Sequence, residues 1–188
     1  MDLKRAIDTR HSVNRFMKGK KIDYRKLIDL IDSANKSPLA GNHPSIYYII
    51  VQEPEKIKQL AEASVQDFFQ NASAVIVICS DYSFLEKSYY ERGGKYGKHQ
   101  AGAATENLLL RATDMGLGAC WVGAFTDEIV KRTLRIPENI EVETLIPIGI
   151  EMGKAKQKSK PNLDRVLFFD EWKNMFMVRK NMIPSTKS

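Results

Sequence analysis

Apolar residues recur along this chain at two periods, and the switch between them marks out the elements. Leu3 to Ile7 is amphipathic at helical spacing, so Asp2–Thr9 reads as a short helix. Asp23 is placed to cap a second, whose apolar face is Leu27, Ile28, Leu30 and Ile31 and which runs to about Asn35. Ser37 to Pro44 is a loop by its Pro, Gly and Asn content. Tyr47–Val51 is a strand closed by Glu53-Pro54, and Glu55 to about Glu62 is helical. The uninterrupted run Ala74–Cys79 predicts a central strand buried on both faces. Asp81–Gly97, rich in Tyr, Gly and charge, is the least regular stretch. Ala101–Met115 is the longest helix, stopped by Gly116. Its face of Ala101, Ala104, Thr105, Leu108 and Ala112 is small near the start, which suits close packing on another helix, here expected across a two-fold axis. Ala119–Val122 predicts a third strand, Glu128–Leu134 a short helix and Thr144–Ile150 a fourth strand. Helices and strands alternate without repeat or linker, so the class is α/β or α+β, with a sheet covered by helices.

Composition narrows this to one globular domain of 188 residues, 43% apolar and 28% charged. No apolar run approaches the roughly 20 residues of a membrane helix, and Met1–Arg5 lacks the apolar core of a signal peptide. Cys79 and Cys120 each lie in an apolar run and read as small core residues of a reducing compartment, so the expected location is the cytoplasm. The net charge of +6 is uneven: from Met152 to Ser188 nine Lys and Arg face three acids, an excess as large as that of the whole chain. The rest is close to neutral, which argues against a globally basic nucleic-acid binder.

Two cationic segments carry candidate chemistry. Arg10-His11-Ser12-Val13-Asn14-Arg15-Phe16 places guanidinium, imidazole and hydroxyl groups in one turn, a donor set that matches phosphate oxygens; the plain alternative is a solvated basic turn. Lys158-Ser159-Lys160-Pro161 repeats the pattern, and together the two could close a phosphate site from two sides. Gly116-Leu117-Gly118 begins like a dinucleotide fingerprint but follows a helix and enters a strand, the reverse of the order that fingerprint needs. His11, His43 and His99 are far apart and lack paired carboxylates, so no metal site is expected. No nucleophile elbow or Cys/His pairing stands out. Glu106, in an apolar helix, reads as an interfacial or capped carboxylate.

In their order and spacing, these motifs resemble the FMN-dependent nitroreductase family over about Ala6 to Trp172. The family's opening Arg-Arg/His-Ser turn is matched by Arg10-His11-Ser12, and its Ser-Pro-Ser/Thr-Ala-Gly-Asn turn by Ser37-Pro38-Leu39-Ala40-Gly41-Asn42. Its long helix and Gly-rich strand entry are matched by Asn107 through Gly116-Leu117-Gly118 to Cys120-Trp121-Val122-Gly123-Ala124-Phe125. Pro147-Ile148-Gly149 and Lys158-Ser159-Lys160 complete the series, and Tyr90-Glu91-Arg92-Gly93 with Tyr96 is similar to one branch of it.

The resemblance implies an α+β fold, a central mostly antiparallel sheet flanked by helices, in a homodimer that binds FMN. It implies one such domain over residues 1–175 and a basic tail over 176–188. Arg10, Ser12, Lys158 and Lys160 would hold the phosphate and ribityl chain, and His11 would lie beside the pyrimidine edge. Val122, Gly123 and Ala124 would lie against the ring with a main-chain N–H near N5. Pro38, Leu39, Ala40 and Asn42 would reach the partner's flavin, and Gln66 resembles an amide that helps hold the ring or ribityl group. Asn14 stands where the family has its third basic residue, with Arg15 one place later. Pro44-Ser45-Ile46 replaces the common Gln-Pro-Trp, and Leu39 replaces a small hydroxyl residue. The implied function is an oxidoreductase that takes hydride from NADH or NADPH and reduces an electron-poor acceptor, such as a nitroaromatic or a quinone, by a ping-pong mechanism. No side-chain acid or base is singled out, since the chemistry belongs to the flavin. The alternatives are an FMN carrier or sensor without turnover, and a basic module binding nucleic acid or lipid. Neither a membrane nor a nucleic-acid partner is expected on the main reading.

Overall fold

Local chemistry sets the element boundaries. In the computed structural model, which describes residues 1–153 and 160–175, α1 (Leu3–Thr9) and α2 (Tyr24–Asn35) are capped by Asp2 and Asp23, whose carboxylates accept the Arg5 and Arg25 N–H groups. Strand β1 (Ile46–Val51) leads to α3 (Pro54–Ala63), which Pro54 opens from a first-turn position where no N–H is needed. Then follow β2 (Ala74–Ser80), α4 (Ser83–Tyr89), α5 (Gly93–Asp114), β3 (Gly118–Ala119), α6 (Asp127–Leu134) and β4 (Glu141–Gly149).

The four strands form one sheet in the order β1-β2-β4-β3, antiparallel throughout, which is the α+β arrangement expected. All seven residues of β2 are buried between β1 and β4. Alternation along β2 divides the core. Ala74, Ile76 and Ile78 join Leu27 and Leu30 of α2 and Ala104, Leu108 and Ala112 of α5. Val75, Val77 and Cys79 join Ile57 and Leu60 of α3 and Val130 of α6. Helices therefore cover both faces. The register skips one residue between Ile78↔Thr144 and Cys79↔Val142, leaving Glu143 as an extra residue on β4. The freed Glu143 carboxylate accepts a hydrogen bond from the Tyr82 hydroxyl.

Two expectations need correction. Asp81–Gly97 is not irregular: it holds α4, a 3-10 turn at Tyr90–Arg92 and the first turn of α5. Its glycines are there for contact. A Cβ on Gly93 would lie 2.4 Å from the Glu86 nitrogen, and one on Gly97 would lie 2.2 Å from the Tyr82 ring. Likewise, the small-residue face of α5 does not wait for a second copy. Ala104 is fully buried within the chain, packed with α2 and the sheet. Strand limits shift as well. Regular β3 is only Gly118–Ala119, with Val122 pairing Leu145 in an isolated bridge, and β4 begins at Glu141, three residues earlier than its apolar run.

The chain divides into two units, residues 1–156 and 157–188. In the described part of the second, a 3-10 turn spans Leu163–Arg165 and the Phe168 and Trp172 rings meet edge to face. Leu163, Val166, Leu167, Trp172 and Met175 are exposed. Among the described residues, no helix is long and apolar enough to cross a membrane.

Candidate functional site

The basic turn after α1 is a strap laid along one edge of the sheet. The Val13 N–H donates to the Ala119 carbonyl at 2.9 Å, the Met17 N–H to Ile150 at 2.8 Å, and the Met152 N–H to Arg15 at 2.9 Å. Phe16 bridges to Glu151, just past β4. Val13 and Phe16, each 2% exposed, anchor the strap from below. They fit because Gly118 and Gly149 are bare: a Cβ on Gly149 would lie 2.7 Å from the Phe16 ring. With Val13 and Phe16 turned inward, Ser12, Asn14 and Arg15 face outward, all exposed.

Arg10 and His11 of this strap have fixed partners. Arg10 Nε lies 3.4 Å from Glu106 Oε1 of α5. His11 Nδ1 lies 2.9 Å from the Thr9 carbonyl and Nε2 lies 3.0 Å from Glu151 Oε1. The Thr9 bond and the Glu151 carboxylate together raise the His11 pKa above its ordinary 6.5, against partial burial and the Arg10 charge. Cys120 joins the group. Burial pushes its thiol up, while a hydrogen bond with Ser12 and the Arg10 charge pull it down. Glu106 is thus a paired carboxylate, and Arg10, Ser12 and Cys120 are neighbours.

Beyond Cys120 the strand opens toward solvent. Trp121 is 45% exposed and leans against α5, where a Cβ on Gly102 would lie 3.7 Å from its ring. Val122 is buried and exchanges backbone hydrogen bonds with Leu145 at 3.0 Å in both directions. Gly123 and Ala124 are exposed, and their N–H groups make no backbone hydrogen bond among the described residues. The Thr126 N–H, donating to Ala63 at 2.9 Å, ties this loop to the end of α3. Gln66 follows that end, half-buried, two residues before Phe68, whose ring stacks on Phe16 at 6.4 Å. The site thus offers a cationic end at Arg10–Ser12 and, at Gly123–Ala124, exposed amides without a backbone partner among the described residues. A phosphorylated planar ligand whose ring accepts hydrogen bonds fits that donor set.

The nitroreductase family model matches residues 62–150. A protein of Archaeoglobus fulgidus bearing the name NADH dehydrogenase/NAD(P)H nitroreductase is 33% identical over 150 residues, which cover 77% of this chain and 83% of that one. The chain belongs to the nitroreductase family. A solved nitroreductase family protein of Clostridium novyi NT superposes with a TM-score of 0.72 at 28% identity, over 93% of this chain and 96% of that one. The fold is also that of an NADPH:FMN oxidoreductase of Vibrio harveyi, solved with NAD+, at a TM-score of 0.81 and 20% identity over 92% of this chain and 78% of that one.

Within this nitroreductase fold, the sequence-predicted site residues fall into separate groups. Arg10, His11, Ser12 and Asn14 share the strap, and Val122, Gly123 and Ala124 continue the strand it binds. Gln66 sits on the element packed beside both. Pro38, Leu39, Ala40 and Asn42 stand apart, in a turn held by α5. The Ala40 N–H donates to Gln100 Oε1 at 2.7 Å, and Gln100 Nε2 donates to Ser45 Oγ at 2.8 Å. Gln100 and Glu106 are six residues apart, about 9 Å along the helix and about 120° around it. Turn and strap therefore leave α5 on different sides. Lys158 lies outside the described residues, and Lys160 is exposed in the second unit. Glu151 and Gln100 went unrecognised in the sequence because their partners are 140 and 60 positions away.

Proposed function

We propose that this chain is an FMN-dependent oxidoreductase of the cytoplasm, acting as a homodimer. It takes hydride from NADH or NADPH and reduces an electron-poor acceptor, a nitroaromatic, quinone or similar compound, in a ping-pong cycle. The observation that carries this reading is the strap itself. It lays a guanidinium, an imidazole and a hydroxyl along the same strand that ends in the free Gly123 and Ala124 amides. FMN, when bound, supplies the hydride-accepting and electron-donating chemistry. Arg10 and Ser12 are assigned to its phosphate end. The Gly123 and Ala124 amides are assigned to its ring, where glycine lets the backbone approach closely, and Gln66 to the ring or ribityl edge. The exposed Pro38–Asn42 turn is assigned to the flavin of the second copy. The names of the relatives, which include an FMN reductase (NADPH) of Bacillus subtilis, support the same chemistry.

Absorbance and fluorescence titration test the reading. The protein is expected to take up about one FMN per chain and to bind riboflavin more weakly. Arg10→Gln is expected to weaken FMN by roughly 1.5–3 kcal/mol through loss of a charge-assisted bond. Bound flavin should bleach on addition of NADH or NADPH without oxygen. Equal affinity for FMN and riboflavin would overturn the phosphate assignment, and FMN that neither nucleotide bleaches would leave a carrier.

A further inference from the structure

His11 is held from both sides by groups that can only accept hydrogen bonds. The Thr9 carbonyl faces Nδ1 at 2.9 Å, and the Glu151 carboxylate faces Nε2 at 3.0 Å. A neutral imidazole has one N–H and one lone pair, so it can satisfy only one of them. Satisfying both requires the doubly protonated ring. The contact is firm because Glu151 does not approach on a free loop. The two backbone bonds that join Arg15 and Met17 to Met152 and Ile150 straddle it, and Phe16 bridges to Glu151 itself. Among the described residues the remaining charged neighbour is Arg10, on the strap itself, which opposes protonation and is compensated by Glu106 from α5. From the strand side, the group beside Arg10 and Ser12 is the Cys120 thiol, held neutral by burial.

We propose that Glu151 is a positioning residue that keeps His11 as an imidazolium, so that the strap presents a second fixed cation beside Arg10 and selects a phosphorylated flavin over an unphosphorylated one. This rests on the assignment of Arg10 and Ser12 to the phosphate end of FMN, and it places His11, which lies between them in the chain, there and not at the pyrimidine edge that the family resemblance implies. His11 cannot then act as a hydrogen-bond acceptor or a general base at neutral pH. Its charge is lost as pH rises through a value above the ordinary 6.5 of histidine. Preference for FMN over riboflavin falls with it, while riboflavin affinity stays level.

The test uses the purified full chain, with FMN and riboflavin dissociation constants measured by flavin fluorescence between about pH 7 and 9, above the second pKa, near 6, of a phosphate monoester. In the wild type, the FMN/riboflavin preference is expected to fall roughly two- to tenfold across this range, as one half-exposed charge is lost. His11→Gln should flatten the profile at its high-pH level. Glu151→Gln should shift the fall to lower pH. In parallel, NMR titration of the imidazole without flavin should give a midpoint above 6.5 that drops in Glu151→Gln; this readout also shows that the variants are folded. A His11 midpoint unmoved by Glu151→Gln, or identical pH profiles for wild type and His11→Gln, would overturn the proposal. If neither flavin binds, or both bind equally at every pH while the His11 midpoint behaves as expected, the phosphate assignment fails and the His11–Glu151 pairing stands.

Discussion

The strap at Arg10–Met17 and the turn at Ser37–Asn42 are both assigned to flavin, yet they are built in opposite ways. The strap is part of the core. Two buried side chains, three backbone hydrogen bonds to the β3 and β4 region and two carboxylate partners fix it. The turn is clipped on. Its own 3-10 bonds run from Asn42 to Leu39 and from His43 to Ala40, both at 3.2 Å. A single buried glutamine, Gln100, then holds it to α5. Tyr89 closes over Gly41, where a Cβ would lie 2.6 Å from the hydroxyl. The difference teaches that one part of the site cannot loosen without the fold, whereas the other is held by a few local contacts, the Gln100 hydrogen bonds, Tyr89 over Gly41 and the His43 ring stacked on Phe84.

Three substitutions measure that contrast by denaturant unfolding, with amide exchange as a local readout. The largest expected effect is Phe16→Ala, which opens a cavity over Gly149 and should destabilise the whole chain by about 3–5 kcal/mol. A loss no greater than that of the turn variants would break the comparison. Next is Gln100→Ala. Gln100 is 4% exposed, and its loss strands the buried Ser45 hydroxyl and the half-buried Ala40 N–H, at a cost of about 1–3 kcal/mol. Exchange at Ala40 should rise well before global unfolding, while exchange at Val13 stays at the global rate. The smallest is Gly41→Ala. Gly41 sits at φ 59°, so the added methyl should cost about 1–2 kcal/mol locally and displace Tyr89. If this change lowers FMN retention by more than its loss of stability accounts for, the turn acts on cofactor independently of fold stability.

What the sequence made legible follows the same division. The strap's basic residues, the Gly-rich strand entry and the apolar run of β2 are local patterns, and each can be read where it stands. Asp81–Gly97 is harder to read, because glycine and tyrosine signal irregular chain when taken alone. Only the packing of α4 on α5 reveals that Gly93 and Gly97 are small so that Glu86 and Tyr82 can touch the helix. The alanine face of α5 was correctly read as close-packing and assigned to the wrong neighbour, since residue size reports the distance of a partner and not its identity. Gln100 and Glu151 carry no local pattern. Their roles depend on which distant loop the topology delivers to them.

The sheet order also has a kinetic consequence. The strap comes first in the chain, but its acceptor on β3 lies at Ala119 and its other tether at Ile150–Met152. During synthesis, Arg10–Met17 emerges without either partner and stays unplaced until nearly the whole of the first unit has been made. Closing loops of that length is slow relative to forming α2 or the β1–β2 pair. The strap is therefore among the last parts to assemble in a newly made chain. Until then Val13 and Phe16 remain open to solvent, and the cations of the strap have neither Glu106 nor Glu151 to meet.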